Sequence, residues 1–297
     1  MRTEQMSPRY AELDSWTTAE MLAAMYEGQL AAAAAVRNAL GAIAAAVEDA
    51  APALQRGGRI VYAGAGTSGR IGVQDGSELP PTYNWPPDRL VFAMAGGLGA
   101  LVQSAEQAED DEGAGAHAMA DAKITADDVV IGVAASGTTP FTIGALRAAK
   151  AAGAVTIAVA NNPDAPLFQV ARHRILADTG SEVIAGSTRM NAGTAQKIVL
   201  NLLSTAVMVK LGRVYRGLMV DMRARNAKLR HRAAAMVSEI VRCPGSDAAR
   251  FVEQADGDVK TAVMLGFGLG RSEAEKLLQR HGGNLRAAIK ECRGGDG

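Results

Sequence analysis

Short apolar segments alternate with helical stretches through the middle of this 297-residue chain. Segments that are apolar on both faces, only about five residues long and separated by helices are typical of a parallel sheet covered by helices on both sides. The pattern therefore predicts an α/β fold with a doubly wound, mostly parallel sheet. Its strands are expected at residues 59–63, 90–94, 129–134 and 155–160, with a weaker fifth near 174–177.

Longer helical patterns precede and follow the strands. Thr17 and Glu20 have the spacing of a capping box, in which two side chains close the first turn of a helix. An Ala-rich helical region continues from there to about Val47. Another long helix, predicted at residues 192–211, is apolar on most sides, so we expect it to be buried and to favour a homodimer.

The sequence Cys-Pro-Gly-Ser at residues 243–246 interrupts the helical pattern and indicates a domain boundary. Short helical segments with glycine-containing turns follow it. We therefore expect residues 1–245 to form the sheet domain with its N-terminal helices. Residues 246–297 are expected to form a small helical module similar to a UBA domain.

Charge, hydropathy and cysteine content limit the possible partners. Lys plus Arg and Asp plus Glu both total 31, so no basic excess favours nucleic acid or an anionic membrane. No apolar run approaches the length of about 18 residues that a spanning helix requires, and residues 1–14 are too polar for a signal peptide. Cys243 and Cys292 are far apart in sequence. We expect a reduced, cytoplasmic setting, without a disulfide framework or a zinc site.

The sequence Gly-Ala-Gly-Thr-Ser-Gly at residues 64–69 follows the first predicted strand. This GxGxxG pattern is typical of a dinucleotide site, which also requires an acidic residue at the end of the second strand. Residues 93–97 contain no acid. A phosphate ester fits better, because the glycines let an anion approach the backbone and Thr67 and Ser68 add hydroxyl donors. For this loop alone, a tight turn without a ligand remains an alternative.

Two further loops, at residues 135–140 and 186–189, repeat this combination of small residues and hydroxyls. Loops at the carboxyl ends of parallel strands lie at the edge of the sheet where open α/β folds bind ligands. No GK[ST] signature follows any of the three loops, so the sequence indicates a phosphorylated sugar rather than a nucleoside triphosphate. The hydroxyls of the two further loops belong to Ser136, Thr139, Ser187 and Thr188.

Acidic residues follow the first two strands. Glu78 stands directly before a double proline, where a helix must end, and a carboxylate there can be aimed back at a bound sugar. An acidic cluster that includes Glu109 follows the second strand. A solvated helix face is the ordinary explanation of such a cluster, and spacing alone does not choose among its members. The four histidines have no metal-ligand spacing, so no metal is expected.

The longer motifs around these residues resemble the N-acetylmuramic acid 6-phosphate etherases, which belong to the sugar isomerase (SIS) superfamily of phosphosugar-binding domains. The resemblance covers nearly the whole chain and implies an SIS-type fold. It rests on GAGTSGR at 64–70, DGSELPPT at 75–82, AGG at 95–97, AEDD at 108–111, AASG at 134–137, GSTRM at 186–190, AGTAQK at 192–197 and LMVD at 218–221.

The resemblance implies that Glu78 and Glu109 are the catalytic pair. The implied reaction removes D-lactate from carbon 3 of the sugar and leaves N-acetylglucosamine 6-phosphate, without a metal or redox cofactor. The phosphosugar contacts that it implies are Ser68, Ser136 and Thr139, with Thr67, Ser187 and Thr188 nearby.

The chain departs from the family pattern at five positions. Two of these departures, at Thr138 and Asn191, remove positive charge near the expected site. The five are Gly76 for Ala, Leu79 for Cys, Thr138 for Arg, Phe141 for Tyr and Asn191 for Lys.

Two other functions remain compatible with the same loops. A sugar-phosphate isomerase would use the phosphate loops and one carboxylate, and it would release no lactate. A non-catalytic sensor similar to the glucokinase regulatory protein would be stabilised by sugar phosphates without turning them over. The presence of both Glu78 and Glu109 favours the etherase.

Overall fold

The computed structural model describes residues 1–103, 105–224 and 226–294. Five strands form one parallel sheet in the order β2-β1-β3-β4-β5. The predicted α/β fold with a mostly parallel sheet is confirmed, and every strand lies within one residue of its expected bounds. The strands are β1 (Ile60–Gly64), β2 (Leu90–Met94), β3 (Val129–Val133), β4 (Val155–Ala160) and β5 (His173–Leu176).

Helices precede, connect and follow these strands. The first eight are α1 (Thr18–Ala35), α2 (Leu40–Gln55), α3 (Gly66–Ser77), α4 (Leu79–Tyr83), α5 (Glu112–Asp121), α6 (Pro140–Ala151), α7 (Asn191–Lys210) and α8 (Ala227–Val241). The last four are α9 (Gly245–Gln254), α10 (Val259–Gly266), α11 (Arg271–Arg280) and α12 (Leu285–Cys292).

The N-terminal helices begin as the sequence predicts and end later. The Thr17 N–H donates to Glu20 Oε2 at 2.9 Å, and the Glu20 N–H donates to Thr17 Oγ1 at 3.4 Å. A 3-10 turn separates α1 from α2, and α2 continues past the expected end at Val47 to Gln55. Its last turns bury Leu54, and this packing extends the helix beyond the Ala-rich pattern.

The order of the strands creates a crevice beside β1. Ile60 of β1 is in register with Leu90 of β2 on one side and with Val129 of β3 on the other. The chain therefore winds outward from β1 to β2 and then returns to β3 on the opposite side. Open α/β sheets bind ligands at such a switch point, outside the carboxyl ends of the strands. The loops that follow β1 and β3 both begin there.

Contacts divide the chain into two compact units. The first contains residues 1–77 and 87–205, and its central strands β1, β3 and β4 are buried along their whole length. Burial of both faces explains why these strands are almost entirely apolar.

The second unit contains residues 78–86 and the chain from residue 206 onward. It has its own apolar core, to which α8 contributes Val237 and α9 to α12 contribute Val252, Met264 and Leu285. A short hairpin, β6 (Val214–Tyr215) and β7 (Leu218–Met219), also belongs to it. This unit thus begins upstream of the boundary expected at residue 245, and that division into domains stays a prediction.

Within the part of the chain that the structure describes, two helical stretches are long and apolar enough to cross a membrane by length and composition alone. The apolar window within Asn191–Lys210 is 56% buried, as in a core helix, and this helix matches the one predicted at 192–211. The window within Thr18–Gln55 is 33% buried. Alanine raises the mean hydropathy of these helices, although neither contains the uninterrupted apolar run of about 18 residues that the sequence analysis took as the mark of a spanning helix.

Candidate active site

The first loop turns sharply from β1 into α3. Gly66, which opens α3, has a φ of +50°, a conformation that favours glycine. The strand and the helix approach closely, because a Cβ on Gly69 would lie 2.9 Å from the carbonyl oxygen of Gly64. Thr67 and Ser68 consequently lie in the first turn of α3, where N–H groups have no intrahelical partner. This is the geometry of an anion site at a helix N-terminus.

The loop after β3 is built in a similar way. Gly137 has a φ of +71°, and a Cβ there would lie 2.2 Å from the Cβ of Ala165. Ser136 Oγ accepts hydrogen bonds from the N–H of Thr138 at 3.1 Å and from its hydroxyl at 3.0 Å. Thr139 is the N-cap residue of α6. The loop thus places Ser136 and Thr139 beside the N-terminus of a second helix.

Two buried asparagines hold this loop, and sequence reasoning missed both. Asn161 and Asn162 follow β4 directly and are 0% and 4% exposed. The N–H of Asn161 and Nδ2 of Asn162 each donate to the carbonyl oxygen of Ala135 at 3.0 Å. Asn161 Nδ2 also donates to the carbonyl of Ala177 at 2.8 Å. The available signal was a pair of amides at the end of an apolar strand.

The first residues of the chain lie across the same region. The N–H of Arg2 donates to Asn162 Oδ1 at 2.7 Å, and Asn162 Nδ2 donates to Thr3 Oγ1 at 3.1 Å. Thr3 is fully buried, and its carbonyl accepts from the N–H of Gly186 at 3.1 Å. Arg2 and Ser136 both line a cavity of about 260 Å³. This segment therefore connects the second hydroxyl loop to the third, a role that its polar sequence did not indicate.

The third loop carries Ser187 and Thr188 in the turn before α7, and both residues are half-buried. Gly193, in the first turn of α7, lies close to both the third loop and the first loop. A Cβ on it would lie 3.3 Å from the carbonyl oxygen of Thr188 and 3.6 Å from Cγ2 of Thr67. The third loop thus lies beside the first, so the three predicted loops share one edge of the sheet.

Glu182 closes the N-terminus of α7, and sequence reasoning missed it. Its carboxylate is buried and accepts from the N–H of Asn191 at 2.8 Å and of Ala192 at 2.9 Å. Burial raises the pKa of Glu182 above its ordinary value, although these two N–H groups oppose the shift. The carboxylate satisfies the N-terminus of α7, so α3 and α6 are the helices whose N-termini face the site. Asn191, where the family often has Lys, instead accepts from Gln29 Nε2 at 3.2 Å.

Glu109 lies at a cavity beside the first loop. The cavity has a volume of about 450 Å³, and Glu109 is half-buried within the 3-10 turn Glu106–Asp110. Its described lining residues are Gly66, Thr67, Arg70, Ala95, Ala100, Ala105, Gln107, Glu109 and Asp110. The structure therefore brings the predicted carboxylate and the predicted Thr67 hydroxyl to one cavity.

A small apolar cluster packs against the turn that carries Glu109. Ala65 from the first loop, Ala95 directly after β2 and Phe141 from α6 are buried together, and Ala108 packs against them. Since Ala108 precedes Glu109 directly, this contact holds the acidic turn against the loop after β1. Phe141 stands where the family often has Tyr, and its ring fills this cluster.

Glu78 lies between α3 and α4 and belongs to the second unit. It is exposed, and its carbonyl accepts from the N–H of Thr82 at 3.1 Å. α3 ends at Ser77, as expected upstream of the double proline. The prolines then occupy the first turn of α4, where a missing N–H costs no hydrogen bond. The pairing of Glu78 with Glu109 stays a prediction.

Gly76 stands where the family often has Ala, and the reason is space. A Cβ on Gly76 would lie 2.6 Å from Phe92 Cε1 and 2.8 Å from Tyr62 Cε2. These two rings stack with their centroids 6.0 Å apart. The aromatic pair beneath α3 therefore requires glycine at this position.

The largest of the described cavities lies elsewhere. It has a volume of about 1120 Å³ and lies within the second unit, between α8 and α9. Its described lining includes His231, Ser238 and Glu253 and none of the predicted site residues. The predicted hydroxyls and Glu109 lie instead near the switch point of the sheet. The candidate site is therefore identified by its residues and not by the volume of its cavity.

Known proteins with similar sequences establish the family. Residues 107–206 match the SIS domain, and residues 42–150 match the glucokinase regulatory protein N-terminal SIS domain. The N-acetylmuramic acid 6-phosphate etherase of Deinococcus radiodurans is 50% identical over 291 residues, which cover 98% of this chain and 95% of that protein. This chain belongs to the N-acetylmuramic acid 6-phosphate etherase family. The etherase of Yersinia pestis is 46% identical over 97% of this chain and 98% of its own length.

A solved structure supports the SIS-type fold. The phosphoheptose isomerase of Francisella tularensis superposes with a TM-score of 0.50 at 20% identity, over 65% of this chain and 100% of that chain. At this identity the likeness establishes the fold alone. The resemblance to the etherase family and the SIS-type fold, both expected from the motifs, are confirmed.

Proposed function

We propose that this chain cleaves the D-lactyl ether of N-acetylmuramic acid 6-phosphate, with water, to N-acetylglucosamine 6-phosphate and D-lactate. The observation that carries the proposal is the near-full-length relationship to etherases of 46% and 50% identity. The enzyme is then a carbon–oxygen lyase that acts in the recycling of cell-wall amino sugars.

The chemistry explains why two proton-transfer groups are needed. An ether oxygen is a poor leaving group, so direct displacement at carbon 3 is slow. Opening of the sugar ring exposes an aldehyde at carbon 1, which makes the proton on carbon 2 acidic. A base removes that proton, the bond between carbon 3 and the ether oxygen breaks, and an acid protonates the departing lactate oxygen. Water then adds to the double bond between carbons 2 and 3.

Glu109 and Glu78 are proposed to divide this work. Glu109 acts as the base, which is consistent with its position at the cavity that Thr67 also lines. Glu78 acts as the proton donor. Two carboxylates can fill opposite roles when their surroundings separate their pKa values, and each proton transfer contributes roughly 10²- to 10⁴-fold to the rate.

The phosphate is proposed to bind between the N-termini of α3 and α6. Both helices begin at the switch point, and both carry hydroxyls in or beside their first turn. Free N–H groups at a helix N-terminus favour an anion, so binding needs no lysine in this region. The proposed phosphosugar-binding residues are Thr67, Ser68, Ser136, Thr139, Ser187 and Thr188.

We also propose that the protein is a cytoplasmic homodimer. α1 exposes Leu22, Tyr26 and Leu30 by 61%, 65% and 53%, and their four-residue spacing places them on one face of the helix. Exposed apolar stripes of this kind mark contact surfaces. Light scattering of wild type and Tyr26→Asp tests this: a dimer that becomes a monomer supports the proposal, and a wild-type monomer contradicts it.

The activity is tested with purified protein and N-acetylmuramic acid 6-phosphate. Wild type should release D-lactate and the amino sugar phosphate in equal amounts, whereas Glu78→Gln and Glu109→Gln should each lose at least about 10²-fold in rate. An isomerase would yield a ketose phosphate without lactate. A sensor would bind the sugar without turnover and would tolerate both substitutions. Wild-type turnover retained in either variant removes that glutamate from the mechanism.

A further inference from the structure

Among the described residues, Arg70 is the single cation at the cavity that holds Glu109. Of the described residues that line this cavity, Glu109 and Asp110 carry negative charge and Arg70 alone carries positive charge. The resemblance and the loop chemistry assign no role to Arg70. It lies in the second turn of α3, directly after the glycine loop.

The backbone holds the Arg70 guanidinium in a fixed orientation. Its Nε and Nη2 donate to the carbonyl oxygen of Ala100 at 3.2 Å and 3.0 Å. A guanidinium has five N–H donors, so one carbonyl leaves several for another acceptor. Among the side chains that the structure describes, no carboxylate forms an ion pair with Arg70, and its two hydrogen bonds go to the carbonyl of Ala100. The charge is thus oriented without being neutralised.

The proposed substrate carries two anions, a phosphate and the carboxylate of the lactyl group. The lactyl carboxylate is attached to the carbon that bears the ether oxygen, so it lies close to the bond that breaks. Whichever group binds it must therefore share a cavity with the base that acts at carbon 2. A carboxylate placed beside Glu109 and Asp110 also needs a positive charge to offset the repulsion between like charges.

We infer that Arg70 binds the lactyl carboxylate of the substrate and thereby makes this cavity specific for a lactyl ether. The planar fork of a guanidinium matches a carboxylate with two parallel hydrogen bonds. After cleavage the sugar product has no carboxylate, so it loses this contact. The inference rests on the proposed etherase activity, because only that substrate brings a carboxylate to the site.

The phosphate is the other anion that a guanidinium can bind, and position argues against it. Of the proposed phosphosugar ligands, Thr67 lines this cavity, whereas Ser136, Thr139, Ser187 and Thr188 are absent from its described lining. Arg70 instead reaches the carbonyl of Ala100, in the segment that leads toward Glu109. Its guanidinium thus faces the reacting end of the substrate.

The experiment compares ligands with and without the lactyl group. For wild type, Arg70→Gln and Arg70→Lys, KM is measured from D-lactate release, and the Kd of N-acetylglucosamine 6-phosphate is measured by calorimetry. Arg70→Gln should raise KM by about 10- to 100-fold, the usual effect of losing a hydrogen-bonded charge. The Kd of the product should change by less than about 3-fold. Arg70→Lys should restore part of the KM loss.

Ser68→Ala is the matched control. Substrate and product both carry the phosphate, so loss of a phosphate-binding side chain should weaken the binding of both by the same factor. Equal weakening of both by Arg70→Gln would assign Arg70 to the phosphate and overturn the inference. Unchanged KM would leave Arg70 with a structural role only and would also overturn it. Retained binding of the product shows that each variant is folded. Failure of the proposed activity is seen separately, as absence of D-lactate from the wild type.

Discussion

Tyr62 and Asp75 are both buried, and the Tyr62 hydroxyl donates to Asp75 Oδ2 at 2.8 Å. The bond joins β1 to α3, the helix that carries Thr67, Ser68 and Arg70. Asp75 Oδ1 also accepts from Asn201 Nδ2 at 2.6 Å, which ties α7 to the same point. Burial, and then the negative charge of Asp75, raise the pKa of Tyr62 well above its ordinary value. Tyr62 thus remains a neutral donor that fixes the helix of the first loop.

Replacement of Tyr62 by Phe tests this connection. The ring remains, but Asp75 loses a donor inside the protein, so the free energy of unfolding should fall by about 1–3 kcal/mol. Urea denaturation measures the change. Tyr10→Phe is the control, because Tyr10 makes ring contacts such as that with Trp16 and its hydroxyl forms no hydrogen bond within the described residues, so this change should leave stability unchanged. An unaltered denaturation midpoint in Tyr62→Phe would contradict the role given to this bond.

Asp128 gives the stability a predictable dependence on pH. Its carboxylate accepts from Arg59 Nη2 at 2.7 Å and from the N–H of Thr125 at 2.8 Å. Burial raises the pKa of Asp128, but these donors outweigh it and lower the pKa below its ordinary 3.8. The stabilisation is therefore present above pH 3.8 and is lost as the pH falls through the lower, folded-state pKa.

Asp128→Asn should reduce the free energy of unfolding by about 2–3 kcal/mol at pH 7. The difference from wild type should shrink as the pH falls below 3.8, the ordinary pKa that the carboxyl has in the unfolded chain, toward the lower folded-state pKa. Asp127→Asn is a matched control at the next position. Asp127 pairs with Arg56 at the surface, so Asp127→Asn should lower the free energy of unfolding by less than about 1 kcal/mol. A difference between Asp128→Asn and wild type that stays constant from pH 7 to pH 3 would contradict the assignment.

Gly137 is required by both conformation and space in the Ser136 loop. Gly137→Ala places a Cβ 2.2 Å from Ala165 at a φ of +71°, so the loop must move. We expect a loss of stability of about 1–3 kcal/mol together with weaker binding of N-acetylglucosamine 6-phosphate, both measurable by thermal unfolding with and without ligand. Gly41→Ala is the control, since a Cβ there meets no described atom within 4 Å. Wild-type ligand stabilisation in Gly137→Ala would argue against phosphate binding by this loop.

Asn162 is the point at which the N-terminal segment meets the second loop. Asn162→Ala removes its bonds to Arg2, Thr3 and Ala135 and should lower the free energy of unfolding by about 1–3 kcal/mol. Proteolysis should then cut the first residues sooner than in wild type, because their contacts are weakened. Identical cleavage rates for the two proteins would show that the segment is held by other contacts.

The local sequence pattern was sufficient to predict the strands of the sheet and the first two loops. β1 and β3 were predictable because strands buried on both faces are almost entirely apolar. The glycines and hydroxyls of the first two loops were predictable because a sharp turn into a helix needs them. Thr17 and Glu20 were predictable for the same reason, since a capping box acts over three residues.

The rest depends on contacts between residues that are distant in sequence. Arg2 meets Asn162 across 160 positions, and Asp75 meets Asn201 across 126. No periodicity indicates such pairs. Glu182 was missed because a polar residue in a loop looks solvent-exposed until the helix that it caps is located. Motifs therefore suggested Glu109 as a site residue, whereas only the fold places it at the same cavity as Arg70.

A single experiment with isotopically labelled water tests most directly the proposed cleavage of the bond between carbon 3 and the ether oxygen. The protein is incubated with N-acetylmuramic acid 6-phosphate in H₂¹⁸O, and both products are analysed by mass spectrometry. Cleavage between carbon 3 and the ether oxygen predicts equal amounts of D-lactate and N-acetylglucosamine 6-phosphate. The water-derived ¹⁸O should then enter at carbon 3 of the sugar, and the lactate hydroxyl should stay unlabelled. Labelled lactate hydroxyl, or no release of lactate, would contradict the proposed reaction.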